Sequence, residues 1–100
     1  MLTVDFGKAY RKAEDMSQCA DDILKQSNKL KEIIIDIRSN WQGDTANAYI
    51  KKLEALEEVL SENAAKCRED AAAFRSRINE VREAEEIAKS ALESLSTASS

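Results

Sequence analysis

The sequence predicts an all-α protein: a helical hairpin that dimerises into an antiparallel four-helix bundle. Three observations predict it. The 100 residues hold no Pro and two Gly, in a composition rich in Ala, Glu, Lys, Leu and Arg, which favours long helices over sheet. Apolar residues recur with a period near 3.5 in both halves of the chain, the spacing of helices that pack knobs into holes. The pattern breaks at Trp41-Gln42-Gly43, where the only Trp and one of the two Gly sit between Ser39-Asn40 and Asp44-Thr45. Small polar turn-formers and a Gly are what a tight reversal needs. The expectation is one domain over 1–100, with helix one at about 4–38, the turn at 39–44 and helix two at 45–94.

Asp5 or Thr3 can cap helix one. Its seam reads Phe6, Ala13, Ala20, Ser27, Ile34, Trp41 in one column and Ala9, Met16, Ile23, Leu30, Ile37 in the other, with Ser27 the polar exception. Ala9, Ala13 and Ala20 permit a close neighbour at the N-terminal end. The Ile33-Ile34-Ile35 run has strand propensity, but helical periodicity on both sides makes it helix. Asp44, then Thr45, can cap helix two. Its columns are Ala46, Leu53, Leu60, Cys67, Phe74, Val81, Ala88, Leu95 and Ile50, Glu57, Ala64, Ala71, Ile78, Glu85, Leu92. Residues 94–100 are small and mostly polar, so they are expected to fray.

The helices are about 35 and 50 residues, roughly 50 Å and 75 Å long. Folded back, position i should face about position 82–86 minus i, so helix two overhangs from near Val81. A two-helix hairpin buries one seam, and Ile33, Ile35, Tyr49 and Leu56 flank it. Such faces need a second neighbour, and two hairpins forming one bundle is the economical arrangement. The bundle core would include Ile23, Leu30, Ile34, Ile37, Leu53, Leu60, Phe74 and Ile78. Trp41 should be buried in a cleft of this chain or of a partner.

The chemistry argues against an enzyme. The chain has no His, which removes the commonest general base and metal ligand. Its two Cys lack zinc-site spacing and no Gly-rich phosphate loop is present, so no cofactor or metal is expected. The net charge of −4 with interspersed signs lacks the clustered basic face of a nucleic-acid binder. No apolar run is long enough to span a bilayer. The first residues do not form a secretory signal. Cys19 should lie nearly level with Cys67, which leaves a disulfide and two reduced thiols both open. Glu57 interrupts the seam. Either Leu56 takes its core place, or the charge selects register and partner.

About 100 residues, two helical halves and a central Trp-X-Gly turn resemble the WXG family, the ESAT-like substrates of bacterial type VII secretion. The resemblance covers essentially the whole chain. It implies a hairpin that dimerises with itself or with a second WXG-like chain. It also implies export without a cleaved signal peptide, through a membrane complex driven by an ATPase. The family's Tyr-x-x-x-Asp/Glu export motif has no match after the main body of helix two, since no Tyr follows Tyr49. A looser family pattern, apolar, acid at +4, apolar at +7 and +11, fits Val81, Glu85, Ala88 and Leu92; continuation of the heptad explains the same spacing. The expected function is thus a non-enzymatic, secreted, dimeric small protein, an effector or co-secretion partner. The alternative is an intracellular adaptor that masks and targets a larger secreted toxin.

Overall fold

The computed structural model describes residues 4–99. It contains two elements, α1 (Phe6–Asn40) and α2 (Asp44–Ser99), and no strand among the described residues. The two helices lie against each other along the length of α1, giving a rod 86 Å long and 17 by 15 Å across.

Local chemistry sets each boundary. The Asp5 side chain accepts a hydrogen bond from the Lys8 N–H at 3.0 Å, satisfying one of the free donors at the start of α1. Thr3, the other candidate cap, lies outside the described residues. At the far end, the Ser39 hydroxyl and the Asn40 amide fold back onto the carbonyls of Ile35 and Asp36, local bonding that competes with further helix. Trp41 leaves the helix with φ −137° and ψ 130°, its N–H still bonded to the Ile37 carbonyl. Gly43 then adopts φ +111°. A Cβ placed there would meet no atom within 4 Å, so the backbone angle alone demands Gly. The Gly43 carbonyl accepts the Asn47 N–H at 3.0 Å. Gly43 therefore occupies the capping position, and Asp44 is the first helical residue rather than the cap. There its charge favours the positive end of the helix dipole. At its other end α2 continues to Ser99, past the sequence-based end near 94.

The core is narrow and mostly small. Ala13, Ala20, Ser27 and Ile34 are buried on α1; Ala46, Ile50, Ala64, Ala71 and Ile78 are buried on α2. All nine belong to the heptad columns read from the sequence. The column of Ile23, Leu30 and Ile37 on α1 and that of Leu53, Leu60 and Phe74 on α2 are covered only in part: the first five of these are half-buried, and Phe74 is 37% exposed. The hairpin thus buries a line of small residues with Ile34, Ile50 and Ile78 among them, and leaves most of its other large apolar side chains at the rim.

The two helices pair further from the turn than the sequence-based rule places them. Tyr10 bonds Asn79, Glu14 bonds Arg75 and Asp21 bonds Arg68, and the residue numbers of each pair add to 89. Side chains lean toward the N-terminus of their own helix. On α1 that is away from the turn and on α2 toward it, so tips meet several residues beyond the backbone midpoint. Phe6 accordingly shares a groove with Arg82, Glu85, Glu86 and Lys89, and α1 reaches past Val81. Cys19 and Cys67 are free, Cys19 exposed and Cys67 half-buried.

Replacing Gly43 by Ala is expected to destabilise the hairpin by about 1–3 kcal/mol, the cost of holding an L-residue in a sparsely populated region. A lowered urea midpoint with an unchanged m-value would register it.

Candidate functional site

Three surfaces meet the conditions for a functional role, and each follows from the helix geometry. The first is the turn. Trp41 is 46% exposed and packs against Tyr49, 50% exposed, with ring centroids 6.1 Å apart and planes tilted by 59°. Tilted pairs at this distance are favourable. The chain therefore gives Trp41 one aromatic neighbour and no enclosing cleft. Gln42 is exposed beside it.

The second is a polar layer that crosses the apolar seam at mid-hairpin. Ser27, the exception in the α1 column, is fully buried. Glu57, one of two acidic exceptions in the α2 column, lies opposite it. The hydroxyls of Ser27 and Ser61 donate to Glu57 Oε1 at 3.1 and 3.0 Å, and Lys31 Nζ stands 3.5 Å from the same oxygen. Three donors thus converge on one carboxylate oxygen. The reading in which Leu56 takes the core place is overturned, since Leu56 is 49% exposed. The hydroxyls of Ser61 and then Ser27, with a smaller effect from Lys31, hold the Glu57 carboxyl below its ordinary value of 4.5 against the opposing effect of partial burial.

The layer belongs to a charged edge that runs along one side of the seam. Arg38 pairs with Glu54 at 2.7 Å, Lys31 with Glu57, Asp21 with Arg68 at 2.8 Å, and Glu14 with Arg75 at 3.1 Å. Read from N- to C-terminus, α1 presents acid, acid, base, base (Glu14, Asp21, Lys31, Arg38). α2 presents the same order (Glu54, Glu57, Arg68, Arg75). Two such helices match at every rung only when antiparallel. The exposed pairs contribute a few tenths of a kcal/mol to about 1 kcal/mol each, so their value is orientation rather than bulk stability.

The third surface is the opposite edge, where the half-buried Ile23, Leu30, Leu53 and Leu60 border Ile33 and Leu56, both 49% exposed. It runs into the end of α2, where every described side chain from Val81 onward is exposed and Phe6 of α1 reaches as far as the groove of Arg82, Glu85, Glu86 and Lys89. Val81 is 48% and Leu92 56% exposed, with Glu85 and Ala88 between them on one stripe. Sequence reasoning missed the division into a charged and a greasy edge. The heptad positions carried that signal, because the charged residues flank one column and the apolar ones the other.

No three His, Cys, Asp or Glu side chains among the described residues are placed to hold a metal ion, and no helix is long and apolar enough to cross a membrane. No protein-family model, curated protein or solved structure matches the chain.

The depressed Glu57 pKa fixes a pH dependence. A carboxyl whose folded-state pKa lies below its unfolded value adds stability that is full above the unfolded value and is lost as pH falls through the folded one. The melting temperature of the wild type minus that of Glu57→Gln should therefore be constant above about pH 5.5 and shrink as the solution is acidified below pH 4.5. Thermal melts at a series of pH values measure it.

Proposed function

We propose that this chain is a non-enzymatic, WXG-like protein exported by a bacterial type VII secretion system as a dimer of helical hairpins. The observation that carries the reading is the bend itself. Trp41-Gln42-Gly43 is the reversal between the two helices, with Gly43 at φ +111° and an indole that its own chain leaves half uncovered. A half-exposed Trp–Tyr pair at the end of a hairpin is suited to recognition by another protein, since aromatic anchors dominate such contacts.

The unshared surface supports the dimer. The chain exposes 7941 Å², against roughly 5,700 Å² for a compact monomer of 11.2 kDa on the usual scaling with mass. Large apolar side chains lie exposed on this rod, Ile33, Ile35, Leu56 and Val59 among them, the kind of surface that marks association. The partner is a second copy or another WXG-like chain. The exposed stripe of Val81, Glu85, Ala88 and Leu92 toward the end of α2 is the proposed contact for the export machinery, read by a helix-in-groove mode. The protein is made in the cytoplasm and functions outside the cell, as a secreted effector or as a co-secretion partner for a larger toxin.

In the host cell, the chain should accumulate in culture supernatant when the type VII ATPase is present and stay in the lysate when it is deleted. Glu85→Arg with Leu92→Arg should reduce export at least several-fold while leaving hairpin stability unchanged, because neither residue is buried. Retention in the lysate in both strains, bound to a larger toxin, would instead identify an intracellular adaptor.

A further inference from the structure

Resting on the reading that the export machinery takes hold of α2 at Val81, Glu85, Ala88 and Leu92, we infer that the first turn of α1 is a cover on that stripe and must peel away before the stripe is read. The two contacts compete for one face of α2. Ala64, Ala71 and Ile78 are among the buried residues by which α2 meets α1, and their seven-residue spacing runs on to Glu85 and Leu92. The stripe is therefore the outer end of the seam. Phe6, half-buried at the start of α1, shares a groove with Arg82, Glu85, Glu86 and Lys89. A receptor that encloses α2 along this stripe needs the space that Phe6 holds, so the two contacts exclude each other.

The turn is built to open. Two bonds close it and both end on Asp5: its side chain accepts the Lys8 N–H at 3.0 Å and its carbonyl accepts the Ala9 N–H at 3.1 Å. No acidic residue lies in the first helical turn, and Lys8 brings the wrong sign for that end of the helix dipole. Gly7 weakens the turn further. It lacks the positive φ of Gly43, and an added Cβ would lie 3.5 Å from Asp5 Oδ1 and 3.6 Å from Arg11 Nη1, ordinary contact distances. Neither backbone angle nor space asks for glycine here, yet glycine disfavours helix about fivefold against alanine. Among the described residues, no hydrogen bond or ion pair joins residues 5–8 to α2, and the first such bond runs from Tyr10 to Asn79. Ala13, one turn on, is fully buried. Opening therefore stops at Tyr10, and Phe6 is the large apolar side chain that holds the cover down.

The test joins amide hydrogen exchange on the full-length chain to export in the host cell. The Ala9 N–H, bonded to Asp5, reports opening of the cover, and the N–H of fully buried Ala20 reports unfolding of the hairpin. Corrected for intrinsic rates, Ala9 should exchange about tenfold or more ahead of Ala20, as a fraying end does against a core. Gly7→Ala, which can only strengthen the helix, should slow Ala9 by about fivefold and lower export by a similar factor, because a reader that needs the open state sees less of it. Adding Asp5→Ala, which removes the cap without touching α2, should restore both. Ala9 exchange as slow as that of Ala20 would overturn the inference, since the turn would then open only with the whole hairpin. So would Gly7→Ala exported at the wild-type level while Glu85→Arg with Leu92→Arg still blocks export, because the stripe would then be read with the cover closed. Export that ignores the Glu85→Arg, Leu92→Arg chain, or no ATPase-dependent export at all, would remove the secretion reading and this inference with it, a failure told apart from the previous two by the stripe variant and the ATPase deletion.

Discussion

A change of phase between the two apolar seams governs this molecule. The α1 seam ends at Trp41. Carried on at 3.5 residues, its next members would fall near 44–45 and 48. The seam instead resumes at Ala46 and Ile50, which are 1% and 5% exposed, about half a helical turn out of step. A straight helix through this point would carry its apolar stripes on opposite sides, and one neighbour could not cover both. Reversing the chain at Gly43 turns the second stripe onto the first. The positive φ of one residue is the local cost of burying both.

The resulting core is thin because it is built where the helices come closest. Ala13, Ala20, Ala64 and Ala71 bring the two axes together, and an alanine removes little apolar area from water compared with the Leu and Ile side chains left at the rim. Ser27 continues the small column and sets its hydroxyl against Glu57, so the polar layer fits inside the close approach instead of propping it open. A satisfied polar layer adds specificity more than stability. Together with the acid-acid-base-base order on both helices, it makes the antiparallel pairing the one arrangement in which every rung is matched. What remains is a rod with one edge finished and one edge unfinished. That asymmetry links the fold to the proposed association.

Much of the fold was legible in the sequence because heptad periodicity is a direct image of burial. The nine buried residues fall in the two columns, and Trp41-Gln42-Gly43 marks the bend. The register was not legible to the residue. A count of backbone positions about the turn ignores the lean of side chains along their helices, and this moved the partner of Glu14 to Arg75. Ser27 and Glu57 were each visible as interruptions; that they share one hydrogen-bonded layer needed the register. Trp41 lies at the bend but is left 46% exposed by its own chain, with Tyr49 as its aromatic neighbour. The α2 extension keeps its helix to Ser99 although the composition of the last residues favours fraying, because nothing in that stretch, neither Gly nor Pro, stops it.

The reversal can be measured with the two native cysteines. Spin labels on Cys19 and Cys67, diluted with a cysteine-free version of the chain to suppress signals between molecules, report their separation by pulsed dipolar spectroscopy. A hairpin places the labels within about 25 Å, two helices packed 8–10 Å apart plus the label arms. One unbroken helix would separate them by roughly 72 Å at 1.5 Å per residue, and that distance would contradict the account at its root.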